Sequence, residues 1–132
     1  MKEMVLPSVE TVLATCKEFG YGNVKKELIE KTIKKIKSRK LCETKRNVAI
    51  ACAMLWRDLV TQHFFKEDRR ASTEVINEII KRVMRSNGFA FDATLGEVIY
   101  ISTRIVDERI SFKELIQWIE KRMVVLGNGL RF

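Results

Sequence analysis

Between Asn23 and Arg46 the chain carries ten basic residues, Lys25, Lys26, Lys31, Lys34, Lys35, Lys37, Arg39, Lys40, Lys45 and Arg46, against three acids, Glu27, Glu30 and Glu43. This surplus of +7 is nearly the whole formal charge of +8 of the 132-residue chain, because residues 1–22 contribute −1 and residues 47–132 contribute +2. Ammonium and guanidinium groups gathered in this way neutralise phosphate oxygens. On duplex DNA each neutralised phosphate releases counterion and gives log affinity a salt slope of about −0.9 per contact. Read as a helix at about 100° per residue, the segment sends Lys31 and Lys34 away from the apolar stripe Leu28, Ile29, Ile33 and Ile36, with Lys35 and Lys37 on the flanks. Such an element is about 27 Å long at about 1.5 Å per residue. Glu27 with Lys31 and Glu30 with Lys34 stand in the favourable i, i+4 order, so two outward lysines are expected to be partnered, as on any solvated helix face.

The other reactive residue types form no comparable pattern. Cys16, Cys42 and Cys52 are odd in number and far apart, which suits neither a disulfide framework nor paired zinc ligands. Cys16 and Cys52 lie among apolar neighbours and read as small buried hydrophobes, whereas Cys42 lies in the basic stretch, where positive charge can activate a thiol. His63 is the single histidine and cannot anchor a metal alone. Ile110 to Glu114 has the spacing that closes an EF-hand loop, but Thr103, Ile105 and Glu108 stand where Asp, Asn and Gly are needed, with Asp107 as the one match. Asp107-Glu108 and Glu67-Asp68 sit beside arginines as in solvated loops. Trp56 and Trp118 read as core or groove residues before base-stacking platforms. The expectation is therefore a chain without catalytic residues, metal or cofactor.

Helical spacing organises the elements that would position the basic segment. Ser8 caps a first helix with Val9, Val12, Leu13 and Cys16 in one stripe and Gly20 at its end. Asn23 caps the basic helix, which runs to about Lys40. A third helix, residues 44–65, is apolar on every side from Val48 to Trp56 and is expected to be the buried centre. After a solvated Lys66–Arg70 link, Ser72 precedes a helix with Val75, Ile76, Ile79, Ile80, Val83 and Met84, closed by Asn87-Gly88. Phe89 and Phe91 read as core plugs in a link too short for a strand. Thr94 with Glu97 and Ser111 with Glu114 have capping-box spacing. The β-rich run 98–103 is read as helix because a lone strand would lack a partner. The last stripe is Phe112, Leu115, Ile116, Ile119 and Met123, with Gly127 as its stop and a frayed tail over 128–132.

Hydrophobic residues are 46% and charged residues 32%, with six Gly and one Pro, a globular mixture and not a disordered one. The longest apolar run, Val48 to Trp56, is far short of the roughly 20 residues of a membrane span. No apolar stretch near the N-terminus has the length of a secretory signal. The expected architecture is all-α, a single domain over 1–132 of five or six helices around the central one, in the cytoplasm or, in a eukaryote, the nucleus. The function expected is non-enzymatic binding of RNA or DNA through its backbone, since no RNP aromatics, zinc finger or phosphate-binding Gly loop accompanies the charge. The competing expectation is a protein-interaction module that receives a partner helix in a groove or associates with itself through the wide Val75–Met84 stripe.

Overall fold

Ser8 is extended and its Oγ accepts the Thr11 N–H at 3.1 Å, which starts α1 (Val9–Glu18) where the capping residue demands. The helix closes as Tyr21 N–H reaches back to the Cys16 carbonyl at 2.9 Å and Gly20 N–H to Lys17 at 3.0 Å. This paired closure requires a left-handed residue, and Gly20, at φ +90°, is the type that adopts it without strain. The computed structural model describes residues 2–22, 24–61 and 69–127. Asn23, His63, the stretch of the expected third helix beyond Thr61, residues 66–68 of the expected link with its Glu67-Asp68 pair, and the tail from Asn128 lie outside them.

The elements that follow are α2 (Lys26–Ser38), α3 (Lys45–Thr61), α4 (Arg69–Ser86), β1 (Phe89–Phe91), α5 (Leu95–Val106), α6 (Phe112–Lys121) and β2 (Met123–Val125). The fold is thus a helical bundle with one minimal sheet. Thr44 Oγ1 accepts the Asn47 N–H and starts α3, which is buried on every side and packs against α2, α4, α5 and α6. Ala49, Ala51, Cys52 and Ala53 are small enough to let those helices approach. Near the opposite end of α3 the fully buried Trp56 donates its indole N–H to Ser102 Oγ of α5 at 2.9 Å, and it meets Phe91 and Trp118 edge-on at ring separations of 6.5 and 5.9 Å. The capping boxes of α5 and α6 form as expected, with Thr94 and Glu97, and Ser111 and Glu114, exchanging hydrogen bonds. Run 98–103 is accordingly helical.

Two expectations need correction. First, α4 starts by Arg69, so Arg69 and Arg70 are helical and Ser72 lies inside the helix. Arg and Ala are good helix formers and carry it past the capping residue. Second, Phe89–Phe91 is a strand, paired antiparallel with Met123–Val125 in the register Phe89 to Val125 and Phe91 to Met123. Its partner lies over thirty residues away, where local reading does not look. Met123 therefore belongs to β2 and not to α6, which stops at Arg122 without help from Gly127. The α4 residues Val75, Ile76, Ile79, Ile80, Val83 and Met84 are all buried, and α4 packs against α1, α3, α5 and β1.

Candidate polyanion-binding surface

α2 owes its orientation to Ile29, Ile33 and Ile36, which are buried, and to Thr32, buried beside them. Burying one narrow stripe leaves the rest of the helix to solvent. On one flank α2 is pinned to the central helix. Asp58, the one acid of α3, has a side chain only 8% exposed, and its Oδ2 accepts from Lys35 Nζ at 2.7 Å and from Thr32 Oγ1 at 2.9 Å. Lys35 is thus a structural cation whose charge is compensated from below.

The other nine basic positions separate into distinct groups. Lys26 pairs with Glu30 at 3.8 Å, both half in water. Glu30 has turned back to Lys26, so the expected pairs Glu27–Lys31 and Glu30–Lys34 are not formed, and Lys31 and Lys34 have no carboxylate within ion-pair distance among the described residues. Arg46 is committed to Glu120 of α6 at 3.0 Å. Arg39 directs Nη1 at the Met54 sulfur, 3.9 Å away. Lys25, and not Asn23 as expected, stands at the N-cap position of α2, because the helix starts later than the capping residue suggested, and its side chain makes no cap bond; Lys45 opens α3, and both lysines are exposed. Lys37 and Lys40 border a cleft of about 130 Å³ shared with Glu3, Met4, Leu6, Ile36 and Leu41, and neither forms an ion pair with Glu3.

Lys31, Lys34 and Lys37 form a row at three-residue spacing on the exposed side of α2, and Lys40 continues that spacing past the helix end. Residues three apart are neighbours along a helix surface, about 4.5 Å apart in rise, and turn gradually round it. From Lys31 to Cys42 the chain contains six cations and no acid. Lys35 and Lys37 in the last turn also complement the negative end of the helix dipole, which gives part of this charge a structural use. Lys40 ends the row at φ +49°, a left-handed conformation unusual for a lysine. It is held there by an N-terminal brace. Met4 N–H donates to the Leu41 carbonyl, Glu43 N–H donates to the Lys2 carbonyl, and Lys2 Nζ stands 3.9 Å from Glu43 Oε2. The brace is anchored in turn by Asn87, whose side chain accepts the Val5 N–H and donates to the Val5 carbonyl, both at 2.8 Å. The surface is therefore set on a rigid frame.

Other candidate residues find structural places. Burial pushes the Cys16 thiol up to about 11 and the Cys52 thiol up to about 12, which leaves both protonated and inert at neutral pH. Cys42 is half-buried in the braced turn. Among the described residues no three His, Cys, Asp or Glu side chains gather to hold a metal ion, and no helix is long and apolar enough to cross a membrane. The Glu114 carboxylate, the last ligand of the imperfect EF-hand pattern, is bound to the Ser111 N–H at 3.0 Å. Sequence reasoning missed Asp58, whose signal was a lone acid just after the apolar run Val48 to Trp56, and the cations Arg104, Lys121 and Arg122, which spatial folding gathers from α5 and the end of α6. No protein-family model, curated protein or solved structure matches the chain.

Proposed function

We propose that the chain binds nucleic acid, RNA or DNA, through its phosphate backbone, using the C-terminal half of α2 and the braced turn that follows. The observation that carries this reading is the acid-free row Lys31, Lys34, Lys37 and Lys40, exposed and without carboxylate partners among the described residues. Lysines at this spacing meet successive phosphates as point charges, which gives affinity without base reading. Lys25 and Lys45 add charge at the two ends of the segment. Lys26, Lys35 and Arg46, each already paired, contribute less.

The test is fluorescence anisotropy with a labelled oligonucleotide over a salt series. The triple substitution Lys31→Glu, Lys34→Glu and Lys37→Glu should weaken binding at low salt by more than about tenfold and reduce the slope of log affinity against log salt by about 3. Failure of the wild-type chain to bind at low salt, or equal binding by the triple variant, overturns the reading.

A further inference from the structure

On another face of the bundle, α5 and α6 enclose an open groove of about 440 Å³ to which the α2 row contributes nothing. Its floor is apolar, formed by Ile101, Ile110 and the half-buried ring of Trp118, and Tyr100 stands on its rim 54% exposed. Its lining carries three cations, Arg104, Lys121 and Arg122, against the one acid Glu114, while Glu97 beside it is paired with Arg122 at 3.2 Å, so a net positive charge remains on Arg104 and Lys121. The Glu114 carboxylate is turned to the Ser111 N–H, and Arg104 acts on it only through its charge, without an ion pair in contact.

Two of the cations are fixed in advance. The Arg104 guanidinium lies 5.6 Å over the Tyr100 ring and donates from Nη2 to the Arg109 carbonyl at 2.8 Å. The Arg122 guanidinium lies 4.0 Å over the Trp118 ring and donates from Nε and Nη2 to Glu97 Oε2. Each keeps N–H groups beyond those bonds, and Lys121 is exposed with no carboxylate partner among the described residues. Arginine, tyrosine and tryptophan are the residue types that dominate protein-binding hot spots, and side chains already held in place lose little entropy on binding. A nucleobase finds less here. Trp118 carries a guanidinium on one face and packs against Trp56 and Phe91, which leaves Tyr100 as the one exposed ring of the groove, with Arg104 beside it.

We propose that this groove receives an acidic amphipathic peptide segment of a partner protein. Its aliphatic side chains would enter the floor between α5 and α6, and its carboxylates would meet Arg104, Lys121 and Arg122. The inference is independent of the α2 reading. The experiment is selection of a random peptide-display library against the full chain, followed by titration of the enriched synthetic peptides against the intrinsic tryptophan fluorescence, to which Trp118 contributes from the groove itself. Enriched peptides are expected to combine Asp or Glu with Leu, Ile or Phe. Binding should fall about tenfold with Lys121→Glu and with Tyr100→Ala, two exposed positions whose circular dichroism is compared with wild type. It should also fall about tenfold when the peptide's acids are replaced by lysine against the wild-type chain, and it should be unchanged in the Lys31, Lys34 and Lys37 triple variant. No enrichment, enriched peptides without acids, or binding indifferent to the groove substitutions overturns the proposal. Competition by an oligonucleotide that is itself lost on Lys121→Glu and Tyr100→Ala would reassign the groove to nucleic acid and overturn it as well.

Discussion

Lys35 is the position at which a structural and a ligand-binding role make opposite demands, and Lys35→Met separates them. The substitution keeps the aliphatic stem and removes the ammonium group. Asp58 Oδ2 then retains only the Thr32 hydroxyl of its two side-chain donors, with the Asp58 side chain 8% exposed and that of Lys35 45% exposed. Stripping one partner from a fully buried pair costs about 3–5 kcal/mol, whereas exposed pairs are worth about 0–1 kcal/mol. A buried acid with a half-exposed base falls between, at roughly 2 kcal/mol. At about 2.1 cal/mol/K of unfolding entropy per residue, 2 kcal/mol lowers Tm by roughly 7 °C in a chain of this length. Asp58→Asn should cost less, about 1 kcal/mol, because the freed lysine can turn to water while the amide keeps a hydrogen bond to Thr32. The double variant should be more stable than the sum of the two losses implies, by about 1 kcal/mol. Urea denaturation of the four proteins reads all three quantities. Oligonucleotide affinity of the folded Lys35→Met protein should fall less than that of Lys34→Met. If Lys35→Met unfolds like wild type while binding collapses, Lys35 belongs to the ligand and the reasoning from Asp58 is wrong.

Asn87→Ala removes both side-chain bonds to Val5 and the one to the Val83 carbonyl from a fully buried site, so it should cost about 2–3 kcal/mol in the same denaturation assay, and Cys42, in the turn braced from residues 2–5, should become more reactive towards iodoacetamide. Native labelling at neutral pH should modify Cys42 ahead of Cys16 and Cys52, whose thiols burial keeps protonated. Since those two are raised above the ordinary value of 9.0, the stability they support is complete below pH 9 and should fall as pH rises through about 11 and 12, a loss that Cys16→Ala with Cys52→Ala should reduce. Glu97 and Glu114 have carboxyls held below the ordinary 4.5, by the N–H groups of Thr94 and Ser111 first and then by Arg122 and the Ser111 hydroxyl respectively. Their contribution is present above pH 4.5 and is lost as pH falls through the lower folded values, so Glu97→Gln with Glu114→Gln should flatten the acid limb of a stability profile measured by thermal melting.

The parts of this fold that were legible in the sequence are those decided within one or two helical turns. Ser8, Thr44, Thr94 and Ser111 start helices because each cap is a bond to an N–H only three residues ahead, and the all-round apolar character of 48–56 had one physical outcome, burial at the centre. What was hidden depends on partners distant in the chain. Phe89–Phe91 became a strand because Met123–Val125 lies beside it, and Lys35 became structural because a packed helix brought Asp58 beneath it. Local pairing also misled in one place, since Glu30 had two lysines within reach and took Lys26.

The same distinction governs how the candidate surfaces should be weighed. Charge counted along a sequence treats every lysine in 23–46 alike, but the fold compensates Lys26, Lys35 and Arg46 from three different directions and leaves Lys31, Lys34, Lys37 and Lys40 as a consecutive row. In the α5–α6 groove the reverse has occurred. Arg104 and Arg122 are each engaged, yet their partners, a phenol with a main-chain carbonyl and a shared carboxylate, hold the guanidiniums in place over aromatic rings. Ammonium groups on long four-carbon stems suit a ligand with charge at every step and no fixed shape, as a phosphate backbone has. Two immobilised guanidiniums over an apolar floor suit a ligand whose carboxylates occupy set positions. Binding at the first surface should therefore vanish steeply with salt, while binding at the second, with apolar contact beneath its charges, should persist, and one salt series with both kinds of ligand tells them apart.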